Sequence, residues 1–70
     1  MKKFLVHTGA EGDTAHVVDL ATGEREEMYP TFVISTLRSR GFAISDDVEA
    51  AFDDAVAASY HYEVVLEVTR

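Results

Sequence analysis

Residues 60–70, YHYEVVLEVTR, alternate strictly between apolar and polar positions. Tyr62, Val64, Leu66 and Val68 face one way, and His61, Glu63, Val65, Glu67 and Thr69 the other. A period of two with one apolar face predicts a half-buried strand of an antiparallel or mixed sheet. Residues 3–8, KFLVHT, and 14–21, TAHVVDLA, predict two further strands. The GAEGD between them carries two glycines, a hairpin signal. The following ATGE offers a second turn, in which Gly23 can take a positive φ. REEMY then predicts a short third strand, charged as a sheet edge guarded against aggregation would be.

The period changes at Pro30, which suits the first position of a helix. Residues 31–41, TFVISTLRSRG, place apolar Phe32, Val33, Ile34 and Leu37 ahead of Arg38, Arg40 and Gly41. Cations in a last turn followed by glycine mark a helix C-terminus. In residues 45–59, Val48, Ala51, Phe52, Ala55, Val56 and Ser59 fall on one arc about 140° wide at roughly 100° per residue. Asp46, Asp47, Glu49, Asp53 and Asp54 occupy the other side. Ser45 or Asp46 can cap this helix, and Glu49 follows Asp46 in capping-box spacing.

The order is βββααβ, or ββααβ if the charged strand does not form. The expected fold is therefore α+β, a small antiparallel or mixed sheet of three or four strands with two helices packed on one face. Residues 1–70 are expected to form a single compact domain. For the first hairpin, the register pairing Val6 with Val18 is preferred over one pairing His7 with His16 about a turn centred between Glu11 and Gly12. It gathers Phe4, Val6, Val18 and Leu20 on one apolar face and leaves Leu5, Val17 and Val65 outward among His7, Asp19, Glu63 and Glu67.

Charge adds what patterning does not. The net charge is −7, but residues 1–40 hold five bases and six acids, while residues 41–70 hold Arg70 against seven acids. Five of those seven sit within nine residues of helix, about one charge per ~2.7 Å at 1.5 Å per residue. One strand of B-DNA carries a phosphate per about 3.4 Å of axis, and the duplex one per about 1.7 Å. Such a row can imitate nucleic acid to a groove lined with lysine and arginine. Part of it has structural employment, because carboxylates in a first turn complement the helix dipole. Asp53 and Asp54 have no base three or four positions away.

The same charge argues against direct binding to nucleic acid or anionic lipid. No apolar run is long enough for a membrane span or a signal-peptide core, so a soluble, cytoplasmic protein is expected. RSRGF, residues 38–42, is the only basic spot read from the sequence. There is no cysteine, no Gly-x-Ser-x-Gly elbow and no phosphate-binding glycine pattern. His7, His16 and His61 lack a third ligand nearby for a zinc site. No catalytic residue, cofactor or metal is expected, and the chain is read as non-enzymatic.

The expectation is a small acidic module that binds a basic or nucleic-acid-binding protein, as a nucleic-acid mimic or inhibitor. Phage-encoded inhibitors share this size and charge, an analogy of kind. The binding residues would be Asp46, Asp47, Glu49, Asp53, Asp54, Glu63 and Glu67. The alternative is a homodimer or an auxiliary subunit joined through the sheet, its acids serving solubility, in high salt included.

Overall fold

The computed structural model describes residues 1–10 and 12–70. Its order is β1 (Lys2–Thr8), β2 (Ala15–Asp19), β3 (Arg25–Met28), a 3-10 turn (Pro30–Phe32), α1 (Val33–Ser39), α2 (Asp46–Ala58) and β4 (Glu63–Val68). The strands form one antiparallel sheet ordered β3-β2-β1-β4. The architecture is thus the α+β one that the patterning predicts, and the charged third strand forms at an edge.

The alternating residues of β4 do what their period requires. Leu66 and Val68 are buried and Val64 partly so, while Glu63, Val65 and Glu67 are exposed. The core gathers Phe4 and Val6 of β1, Ala15 and Val17 of β2, Val33, Ile34 and Leu37 of α1, Phe52 of α2, and Leu66 and Val68. It also takes Phe42 and Ile44 from the loop between the helices. Phe42 meets Phe4 edge to face, the ring centroids 5.3 Å apart, and Phe52 meets Tyr62 likewise at 6.4 Å.

The first hairpin adopts the other register. Val6 pairs with Val17, and His7 with His16. The expected pairing would have turned His16 inward beneath the helices, because a one-residue slip moves every side chain of a strand to the opposite face. In the observed register His16 keeps Nε2 3.0 Å from Glu27 Oε2, although its Nδ1 is buried with no partner among the described residues. Ala15 and Val17 face the core instead, Val18 joins Leu5 and Val65 outside, and Leu20 is half exposed. Asp19 turns to the helix side, where Lys2 Nζ stands 2.7 Å from its carboxylate. In the second hairpin, Gly23 has φ +79°, the conformation its turn was expected to demand.

Pro30 opens a single 3-10 turn, and α1 begins three residues later. It ends as its composition indicates. Gly41, at φ +94°, donates to Arg38 O (3.0 Å), and Phe42 donates to Leu37 O (3.2 Å). This double bond is a Schellman closure, and its apolar pair is Leu37 with Phe42, both buried. Phe42 is thereby aimed into the core. Ala43 then exchanges two hydrogen bonds with Thr69, of 2.6 and 3.1 Å. Ser45 caps α2, its Oγ accepting from Val48 N at 3.2 Å. Asp46 is the first helical residue, so Val48 and not Glu49 holds the third helical position and no capping box closes; the Glu49 carboxylate turns to Arg38 instead.

Tyr62 buries its hydroxyl with no hydrogen-bond partner among the described residues. Burial raises its pKa above the ordinary value near 10. The folded state thus holds the phenolic proton more tightly than the unfolded chain. The stability this supplies is complete below about pH 10 and lost as pH rises through the folded-state value. Tyr62→Phe is expected to change stability at pH 7 by about 1 kcal/mol or less, in the stabilising direction. It should also flatten the loss of stability above pH 10 in urea titrations. A steeper alkaline loss in the variant would contradict this.

Candidate protein-binding surface

The acids of α2 are fixed by how the helix is seated. Phe52 is its only fully buried side chain, with Val48 and Val56 packed beside it against the core. That anchoring turns Asp46, Asp47, Asp53 and Asp54 to solvent. Asp47 and Asp54 lie two turns apart on one flank, about 10 Å along the axis. Asp53 lies on the other flank and lines a shallow hollow with Pro30, Thr31, Val56 and Ala57.

Ion pairing separates the sequence-selected acids. Glu49 is taken by Arg38, Nη1 to Oε1 3.0 Å, and Arg38 also donates to Ile44 O at 2.8 Å. This arginine ties α1, the loop and α2 together. Glu67 lies 3.9 Å from Lys3, both exposed, a distance at which attraction is weak. Among the described residues, Asp46, Asp47, Asp53, Asp54 and Glu63 have no ion-pair partner.

Arg40 and Lys2 are employed elsewhere. Arg40 grips Glu26 with two hydrogen bonds, of 2.7 and 2.6 Å, which hold the Glu26 carboxyl below the usual range. Lys2 lowers the pKa of Asp19 in the same way. Both contributions to stability are present at neutral pH and lost as pH falls through the depressed values. Lys2, Lys3 and Arg70 also gather around an open hollow of about 700 Å³ with Leu20 and Ala21. RSRGF is therefore not the only basic spot. The second basic spot is assembled from both ends of the sequence, so no local run of charge announced it.

Position brings the helix acids and strand acids closer than patterning implied. Helices on the apolar side of the sheet would hold them on opposite faces of the molecule. But α2 packs against β4, the outermost strand, and the two meet around that edge. A groove of about 240 Å³ runs there, lined by Asp47, Val48, Ala51, Val64, Val65 and Glu67. No local pattern announced this groove, because strand order is not legible in the sequence.

The helix-free face carries a second arrangement. Glu27, His16, His7 and Glu63 form one rung across all four strands. The imidazole centroids are 5.2 Å apart, and His16 Nε2 lies 3.0 Å from Glu27 Oε2. Leu5, Val18 and Val65 make the apolar rung beside it. Among the described residues, no group of three or more His, Asp or Glu side chains is placed to hold a metal ion. No helix among them is long and apolar enough to cross a membrane. No protein-family model, curated protein or solved structure matches this chain.

Proposed function

We propose that this chain is a non-catalytic binding module that covers a basic surface of another protein, one that handles nucleic acid. The observation that carries this reading is the seating of α2. Four of its five carboxylates are exposed and unpaired among the described residues, on a helix anchored in the core by Phe52. Fixed anions meet a lysine- and arginine-lined groove with little reorganisation. The accessible surface is 4373 Å², and a standard interface takes about 800 Å² from each partner. A module of this size acts by covering its target and needs no pocket.

The test is an affinity capture from the native host at low and at moderate salt, with the eluate identified. A basic, nucleic-acid-handling protein should be recovered at low salt and lost as salt rises. Recovery of none, or capture indifferent to salt, would remove the electrostatic mechanism. The apolar rung Leu5, Val18 and Val65 supports a second reading, a homodimer through the helix-free face. In that case Leu5→Glu abolishes association and the α2 acids are expendable.

A further inference from the structure

The free edge of β4 is unusually well defined. Thr8 N donates to Tyr62 O at 3.1 Å, so the Thr8–Tyr62 pair is a hydrogen-bonded one. In an antiparallel ladder bonded and non-bonded pairs alternate. Val64, Leu66 and Val68 therefore bond to β1, and Glu63, Val65 and Glu67 direct their N–H and C=O groups away from the sheet. Thr69, next in the same phase, confirms the alternation by bonding outward to Ala43. Ala43 makes a single isolated bridge there, and the chain then leaves to form α2. Beyond that bridge the edge opens into the groove under Asp47, Val48 and Ala51. Val64 and Val65, consecutive residues with opposite facings, both line it. Only a cavity that wraps the strand edge can touch both.

We propose that a partner binds here by strand addition. An extended segment alternating basic and apolar residues pairs with Glu63, Val65 and Glu67 and continues the edge pairing that Ala43 begins. Charge selects the occupant. Asp47 and Glu67 line the groove, Asp54 follows two turns along the same helix flank, and Glu63 sits at the far end of the strand. Lys3, 3.9 Å from Glu67, is among the described residues the one base paired to any of these. A second copy of β4 fits poorly. Paired whole with itself about Val65, it would set Glu63 opposite Glu67 of the other copy, and like charges directly opposed are destabilising. Lysine or arginine at those positions meets carboxylates instead, and the small side chain of Ala51 leaves room for apolar residues between them. Strand addition of this kind takes affinity from main-chain hydrogen bonds and specificity from alternate side chains.

This inference rests on the acidic-module reading and fixes how the partner is held. The probe is a short synthetic peptide alternating lysine and valine, titrated at low salt, together with two copies N-methylated at alternate residues, one in each phase, and a copy carrying glutamate for lysine. The unmodified peptide should slow amide exchange at Glu63, Val65 and Glu67. One of the two methylation phases and the acidic copy should bind at least about tenfold more weakly. Val65→Pro, which deletes an outward donor and no bond to β1, should weaken binding by a similar factor. Binding with unchanged exchange at these amides and equal affinity for both methylation phases overturns strand addition and leaves the acidic module standing. Absence of any binding by the lysine peptide also overturns strand addition, while the acidic-module reading falls only if the affinity capture fails. The exchange and methylation readouts use the unaltered protein, so they decide the matter even if Val65→Pro fails to fold.

Discussion

Truncating Phe52 to alanine is expected to cost about 3–5 kcal/mol, the usual range for removing a buried aromatic ring. Phe52 is 2% exposed and is the only residue of α2 fully inside the core. Its ring meets Tyr62 edge to face and has Val48 and Val56 on either side along the helix. A domain of this length is stabilised by roughly 4–10 kcal/mol in all, so the change removes a large share or the whole. Equilibrium urea unfolding followed by circular dichroism is the measurement. The midpoint should fall by more than 2 M at a slope near 1 kcal/mol/M, or the variant should be unfolded without denaturant. Phe52→Leu, which keeps most of the volume, should cost about 1–1.5 kcal/mol. A loss below 1 kcal/mol for the alanine variant would mean that α2 is held by something other than this ring. The same experiment bears on function, since a helix that is not pinned presents no fixed array of charge.

Asp53→Lys combined with Asp54→Lys should weaken partner binding roughly 10–100-fold at low salt. Two acids replaced by two bases change the charge by four units, from −7 to −3. Each exposed interaction altered carries about 0.5 kcal/mol, and the sum of about 2 kcal/mol corresponds to roughly 30-fold. Stability should move by no more than about 0.5 kcal/mol, because both side chains are exposed and neither has an ion pair among the described residues. The difference between variant and parent should shrink as salt rises, and the parent's own affinity should fall. Equal affinity for variant and parent at low salt would transfer the case to the helix-free face and its apolar rung. Measured with the captured partner by calorimetry, the pair of results separates a charge-driven module from one joined through Leu5, Val18 and Val65.

The two flanks of α2 make these substitutions informative in different ways. Asp54 shares its flank with Asp47 and faces the β4 edge, whereas Asp53 faces the hollow beside Pro30. Single variants therefore report which side the partner occupies. Glu49 is a poor choice for such a test. Its bond to Arg38 braces the loop that feeds Phe42 and Ile44 into the core, so its removal mixes a folding effect with a binding one.

Local patterning was enough for the elements. The period of two in residues 60–70, the arc of Val48, Phe52 and Val56, the cations and glycine ending α1, and the serine ahead of α2 each act within a few residues of chain. Their physics is complete without the rest of the molecule. The α+β class and the exposure of the helix acids follow from the same patterns. Pairing was different. The His7–His16 register was decided by what lies under the helices, because the sheet could turn only one of Ala15 and His16 inward. The loop of residues 41–45 shows no period at all, yet Phe42 and Ile44 are core residues and Ala43 bridges to Thr69.

Strand order was the largest thing hidden. Nothing in the composition of β4 states that it pairs with β1 and ends the sheet, since either neighbour would satisfy its backbone and its apolar face equally. That placement, made by long-range contacts, sets α2 beside an open edge and brings Asp47 to Glu67. The amino-acid sequence by itself determined how many charges there are and which way α2 and β4 turn theirs, but not which way β2 turns Asp19. Only the tertiary structure decided which are neutralised, as Glu49 is by Arg38, and which stand together around β4, because ion pairs and grooves depend on distances between elements that no local pattern encodes.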